Sequence, residues 1–72
     1  MDLADRIAGW RSARGLSQRA LAKKVGVSAA AVAMWETGDT SPTQDHLESV
    51  VAAFGTTLQK FFGRVPKKLR AA

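Results

Sequence analysis

The chain has 72 residues, and its eleven Lys and Arg against six Asp and Glu give a formal charge of +5 and a sequence pI near 10.5. A single domain of this size buries only roughly 60% of the surface its unfolded chain exposes, which leaves little room for an elaborate catalytic cavity. There is no cysteine and one histidine, so disulfides and thiolate metal sites are excluded, a metal site is improbable, and the positive charge makes a polyanion a candidate partner.

The opening MDLADRIAGW is charged and amphipathic, unlike a signal peptide, and no apolar run approaches membrane-spanning length. Leu3, Ile7 and Trp10 fall at i, i+4 and i+7. Asp2 and Asp5 lie near the positive end of the helix dipole, Arg11 and Arg14 near the negative end, predicting a first helix that ends at Gly15. Trp10 continues the apolar stripe and is assigned to the core.

Leu16 precedes Ser17, which can cap a second helix over Gln18 to Val25 with Leu21 and Val25 on one face. Gln18, Arg19, Lys23 and Lys24 occupy its other side, which is either a solvated face or one that meets phosphate. Gly26 suits a left-handed turn, and Ser28 can cap a third helix over Ala29 to Glu36. Two helices joined so tightly must cross, the geometry of a helix-turn-helix. At about 100° per residue, Val32 and Trp35 point inward while Ala29, Ala30, Ala33 and Met34 share the outward side. An uncharged outward side suggests that something covers it, unless the alanines serve helix propensity alone.

Asp39 to Pro42 form a loop, after which Ser41 or Thr43 caps a fourth helix carrying Leu47, Val50, Val51 and Phe54 at helical spacing and ending at Gly55. His46, without a second ligand, reads as a surface or packing residue. Thr57 can cap a short fifth helix with Leu58, Phe61 and Phe62 on one side, closed by Gly63. These side chains are more apolar than a terminal helix should expose, so part completes the core and part is available for a dimer contact. The expected core is Trp10, Val32, Trp35, Leu47, Val51 and Phe54. From Arg64 onward, RVPKKLRAA reads as a frayed basic tail, leaving residues 1–63 as the domain.

With these residues placed, the sequence closely resembles the Cro/C1-type, or xenobiotic-response-element-type, helix-turn-helix family of bacterial and phage repressors, from about Leu3 to Gly63. The resemblance rests on Ile7, Trp10-Arg11, Gly15-Leu16-Ser17-Gln18, Leu21-Ala22, Val25-Gly26-Val27-Ser28, Val32, Trp35-Glu36, Gly38, Pro42, Leu47 and the Gly55 to Phe62 ending. It implies an all-α, compact five-helix bundle in which the third helix enters the DNA major groove and the second lies across the backbone. Gln18 would then meet a phosphate through its side chain or the helix N-terminus, and Arg11 would pair with Glu36 in a structural tie. Arg14, Arg19 and Lys24 flank the backbone-facing end of the second helix, and Thr40 in the following loop joins this phosphate-contacting set.

The chain departs from better-known members of that family where bases are usually read. Ser28, Ala29, Ala30, Ala33 and Met34 replace the glutamine, asparagine or arginine often found there, so Ala29 and Ala30 offer no bidentate readout of guanine or adenine. Thymine methyls, the Ser28 hydroxyl and DNA shape remain as sources of specificity. Asp39 is a second departure, since an acid in that loop repels phosphate. The expectation is a cytoplasmic, bacterial or phage-encoded repressor that binds double-stranded DNA as a homodimer through Leu58, Lys60 and Phe61, or with Leu58 alone facing the partner if Phe61 is wholly core, without cofactor or enzyme activity. Any effector would act through a separate protein or through the dimer equilibrium, and roles as antitoxin, restriction-modification controller, or phage or anti-defence regulator all fit. The alternative is a protein-interaction module using the uncharged third helix.

Overall fold

Each helix among the described residues begins at a side-chain oxygen that accepts a backbone N–H three residues further on. The computed structural model describes residues 2–63. Asp2 caps α1 (Leu3–Ala13), Ser17 caps α2 (Gln18–Val25) and Ser28 caps α3 (Ala29–Thr37). Thr43 caps α4 (Gln44–Ala53) and Thr57 caps α5 (Leu58–Phe61). Each such cap contributes typically about 1 kcal/mol, so local chemistry sets where these short helices start. Thr43 rather than Ser41 holds the α4 position, its hydroxyl accepting the His46 N–H at 3.2 Å. Residues 64–72, expected to form a basic tail, lie outside the described residues.

Between α2 and α3 the chain turns at Gly26, whose φ of +87° is a left-handed conformation that a Cβ would strain. The Gly26 and Val27 N–H groups both donate to the Ala22 carbonyl, at 2.8 and 3.0 Å, which closes the end of α2. Gly38, at φ +85°, is also left-handed and ends α3 one residue later than the expected Glu36 end, with the Thr40 N–H donating back to the Met34 carbonyl.

Ile7, Trp10, Leu21, Val32, Trp35, Val50, Val51, Phe54 and Phe61 are buried in one core cluster drawing on α1 to α5 and the α4 cap. Leu47, expected within it, is only partly buried and packs against its edge, because the α4 stripe turns Val50 and Val51 most directly inward. Trp10, Phe54 and Phe61 form an aromatic triangle with ring centroids 6.1 to 6.3 Å apart. The indole N–H of Trp10 donates to the Phe61 carbonyl at 3.2 Å, so the buried ring leaves no orphaned donor.

That triangle corrects one expectation. Phe61 is completely buried and has no surface to offer a dimer partner, whereas Leu58 and Phe62 are 42% and 47% exposed. The physical reason is the seat between Trp10 and Phe54, which admits one ring and leaves the neighbours outside. Arg6 reinforces the seat by donating to the carbonyls of Phe61 and Gly63, at 3.3 and 2.6 Å.

Candidate nucleic-acid interface

One carboxylate ties α1, α2 and α3 together, beside the core packing of Leu21 and Ala22 with Val32. Glu36 Oε2 accepts from Arg11 Nε at 2.6 Å, while Oε1 accepts from Arg11 Nη2 and Gln18 Nε2, each at 3.0 Å. Arg11 Nη1 also donates to the Leu16 carbonyl at 2.8 Å. Four segments thereby meet at one polar knot: α1 through Arg11, the turn through Leu16, the start of α2 through Gln18 and the end of α3 through Glu36. The Glu36 side chain is 7% exposed and that of Arg11 18%. Such burial makes the bidentate pair much more consequential than a surface ion pair. The structural tie expected of Arg11 and Glu36 is present. Gln18, expected at phosphate through its side chain or the helix N-terminus, spends one side-chain N–H on Glu36 and keeps the other, and Arg11 spends three of its five donors inside the knot.

What the knot presents outward is the far face of α3. Ala29, Ala30 and Met34 are exposed and Ala33 is partly so, as the helical spacing predicts, while Val32 and Trp35 are buried. Thr37 is exposed one turn beyond Ala33 and escaped the sequence reading because the helix was ended at Glu36; the i+4 spacing from Ala33 is the signal that finds it. Its hydroxyl donates to the Met34 carbonyl at 3.2 Å. The Ser28 oxygen accepts the Ala31 N–H at 3.1 Å, leaving its O–H and one lone pair for other partners.

The cations divide into two groups. Arg19, Lys23 and Lys24 stand exposed on α2, and Lys24 borders a groove formed with Ser49, Ala52 and Ala53 of α4. Arg14, also expected at phosphate, donates Nε to the Phe54 carbonyl at 2.8 Å with its guanidinium 5.2 Å from the Trp10 ring centroid, which ties it to the end of α4. At the N-terminus of α2, Ser17 takes the Ala20 N–H at 2.9 Å, and the Gln18 and Arg19 amides have no intrahelical acceptor. Thr40 is exposed in the loop beyond α3, its N–H donating to the Met34 carbonyl at 3.4 Å, and Asp39 is exposed beside it. His46 packs 5.7 Å from the Trp35 ring, as a packing residue should.

Charge is unevenly shared along the chain. Residues 2–63 contain seven Lys and Arg and all six Asp and Glu, a net of +1, so residues 64–72 carry the other four positive charges. Among the described residues no group of His, Asp and Glu is gathered as metal ligands, and no helix is long and apolar enough to cross a membrane.

No curated protein and no solved structure matches the chain. A helix-turn-helix family model matches residues 7–61, from the middle of α1 to the end of α5. With the capped α2, the Gly26 turn, α3 and the Arg11–Glu36 tie all inside that match, the chain belongs to the Cro/C1-type helix-turn-helix family of DNA-binding transcriptional regulators.

Proposed function

We propose that the protein is a sequence-specific repressor that binds an inverted-repeat operator in double-stranded DNA as a homodimer, with α3 in the major groove and α2 across the backbone. The observation that carries this reading is the outer face of α3, where Ala29, Ala30, Met34 and Thr37 are exposed among the described residues, beside an α2 tied to the end of α3 through Gln18 and Glu36. Repression needs nothing further from the chain, since a domain seated on a promoter excludes polymerase by occupancy.

Phosphate contacts are assigned to the Gln18 and Arg19 amides at the start of α2, the Arg19 and Lys24 side chains, Thr40, and the two Arg11 donors not used within the knot. Arg14 serves here mainly to hold α4 to α1. Base contacts fall to Ser28, Ala29, Ala30, Ala33 and Met34. For the dimer, Leu58 with Lys60 and the neighbouring Phe62 supply the surface, Phe61 being core. Two linked protomers gain affinity by acting on half-sites about one helical turn apart.

Selection of bound duplexes from a random pool tests the reading: enrichment of two inverted half-sites is expected, and recovery of unrelated sequences would overturn it. One observation favours a second reading, a protein-binding module: Met34 is 41% exposed on a face without charge. Apolar protein contacts respond little to salt, whereas phosphate contacts weaken steeply with it.

A further inference from the structure

We propose that α3 reads the C5-methyl groups of thymines, with Met34 as a specificity-determining residue; this rests on the DNA-binding reading above and names what that site selects. Between Ser28 and Thr37 the face offers almost no hydrogen-bonding capacity. Ala29, Ala30 and Ala33 have no polar side-chain atom, the Met34 thioether is only a weak acceptor, and the Thr37 hydroxyl proton is engaged by the Met34 carbonyl. Ser28 keeps its O–H and one lone pair beside the cap and the Thr37 oxygen can still accept, so hydrogen bonding is confined to the two ends of the face.

Polar base edges pressed against such a face lose water without gaining partners. The guanine O6 and N7 acceptors would meet methyl and thioether groups, an unfavourable exchange. The thymine methyl is the one major-groove feature that an apolar surface can bury with gain. Small side chains at Ala29, Ala30 and Ala33 let the α3 backbone approach the base edges. Met34 is unbranched, polarizable and long enough to follow a methyl that the alanines do not reach.

Geometry sets the reach of the contact. Ala29 with Ala33, and Ala30 with Met34, form two rows whose members lie about 6 Å apart along the helix axis. For a helix lying obliquely in the groove, that distance spans about one to two base-pair steps. The half-site should therefore hold at least two thymines within a few steps of each other, with their methyl groups facing α3.

The test uses the full chain and a duplex obtained by selection, with its half-site thymines replaced by deoxyuridine, which removes the methyl and leaves the hydrogen-bonding groups. Affinity should fall about fourfold for each contacted methyl, the worth of one buried methyl-sized group. At a contacted position, a 5-methyl-deoxycytidine·deoxyguanosine pair should bind about fourfold more tightly than the unmethylated pair. Met34→Ala should weaken binding to the thymine duplex while leaving the deoxyuridine duplex nearly unchanged. Equal loss on both duplexes would mark Met34 as structural and remove it as a reader. Equal affinity of the wild-type chain for thymine and deoxyuridine duplexes, with salt-dependent DNA binding intact, overturns methyl reading alone. Absence of salt-dependent binding to any duplex overturns the DNA-binding reading and this proposal together.

Discussion

Deleting the carboxylate at Glu36 is the sharpest perturbation of the scaffold. Glu36→Ala removes the acceptor of three hydrogen bonds, at 2.6, 3.0 and 3.0 Å, and leaves the Arg11 guanidinium with only the Leu16 carbonyl. Breaking a buried pair from one side costs about 3–5 kcal/mol, because the surviving charge stays uncompensated. Arg11 retains 18% side-chain exposure, so water reaches it and the expected loss is nearer about 2–3 kcal/mol. A domain of this length holds only about 4–10 kcal/mol in total. Urea unfolding followed by fluorescence of Trp10 and Trp35 reads the change directly. Arg11→Ala and the double variant complete a cycle whose coupling should be about 1.5–2 kcal/mol, in the range for hydrogen bonds to charged groups. A coupling below about 0.5 kcal/mol, the worth of an exposed ion pair, would refute the knot as a buried tie between α1 and the end of α3.

The remaining predictions follow from burial and charge. Phe61→Ala should destabilise by about 3–5 kcal/mol, since it empties the seat between Trp10 and Phe54; urea midpoints would show it. Leu58→Asp, at an exposed position on the same short helix, should unfold like the wild type yet sediment as a monomer where the wild type sediments as a dimer. Arg19→Ala should weaken binding to all duplexes alike and lower the salt slope by about one, as loss of one phosphate contact does. A change in sequence preference would instead move Arg19 from positioning to base readout.

Much of the scaffold was legible because it is encoded locally. Ser17, Gly26 and Ser28 specify the turn within a dozen residues, and α2 spans the residues that its cap and apolar spacing predicted. Long-range closure was less legible. Arg14 reaches the Phe54 carbonyl across forty residues, and Arg6 reaches Gly63 across more than fifty. No periodicity announces either bond. In α5, a single turn carrying Leu58 and Phe61 with Phe62 beyond it, spacing cannot say which apolar side chain the core admits; the Trp10–Phe54 seat decides that. At the interface, the uncharged face of α3 could be read from the sequence, but the commitment of Gln18 and Arg11 to Glu36 depends on distances between helices.

Ala30→Glu tests the central claim most directly, because it places a negative charge in the middle of the outward α3 face without touching the core. Glutamate suits a helix, so the variant should unfold in urea within about 0.5 kcal/mol of the wild type. Its affinity for the selected duplex, measured by fluorescence anisotropy, should fall at least about a hundredfold, since a carboxylate would face the phosphates and acceptor edges of the groove. A folded Ala30→Glu variant that binds that duplex as tightly as the wild type would contradict docking through α3.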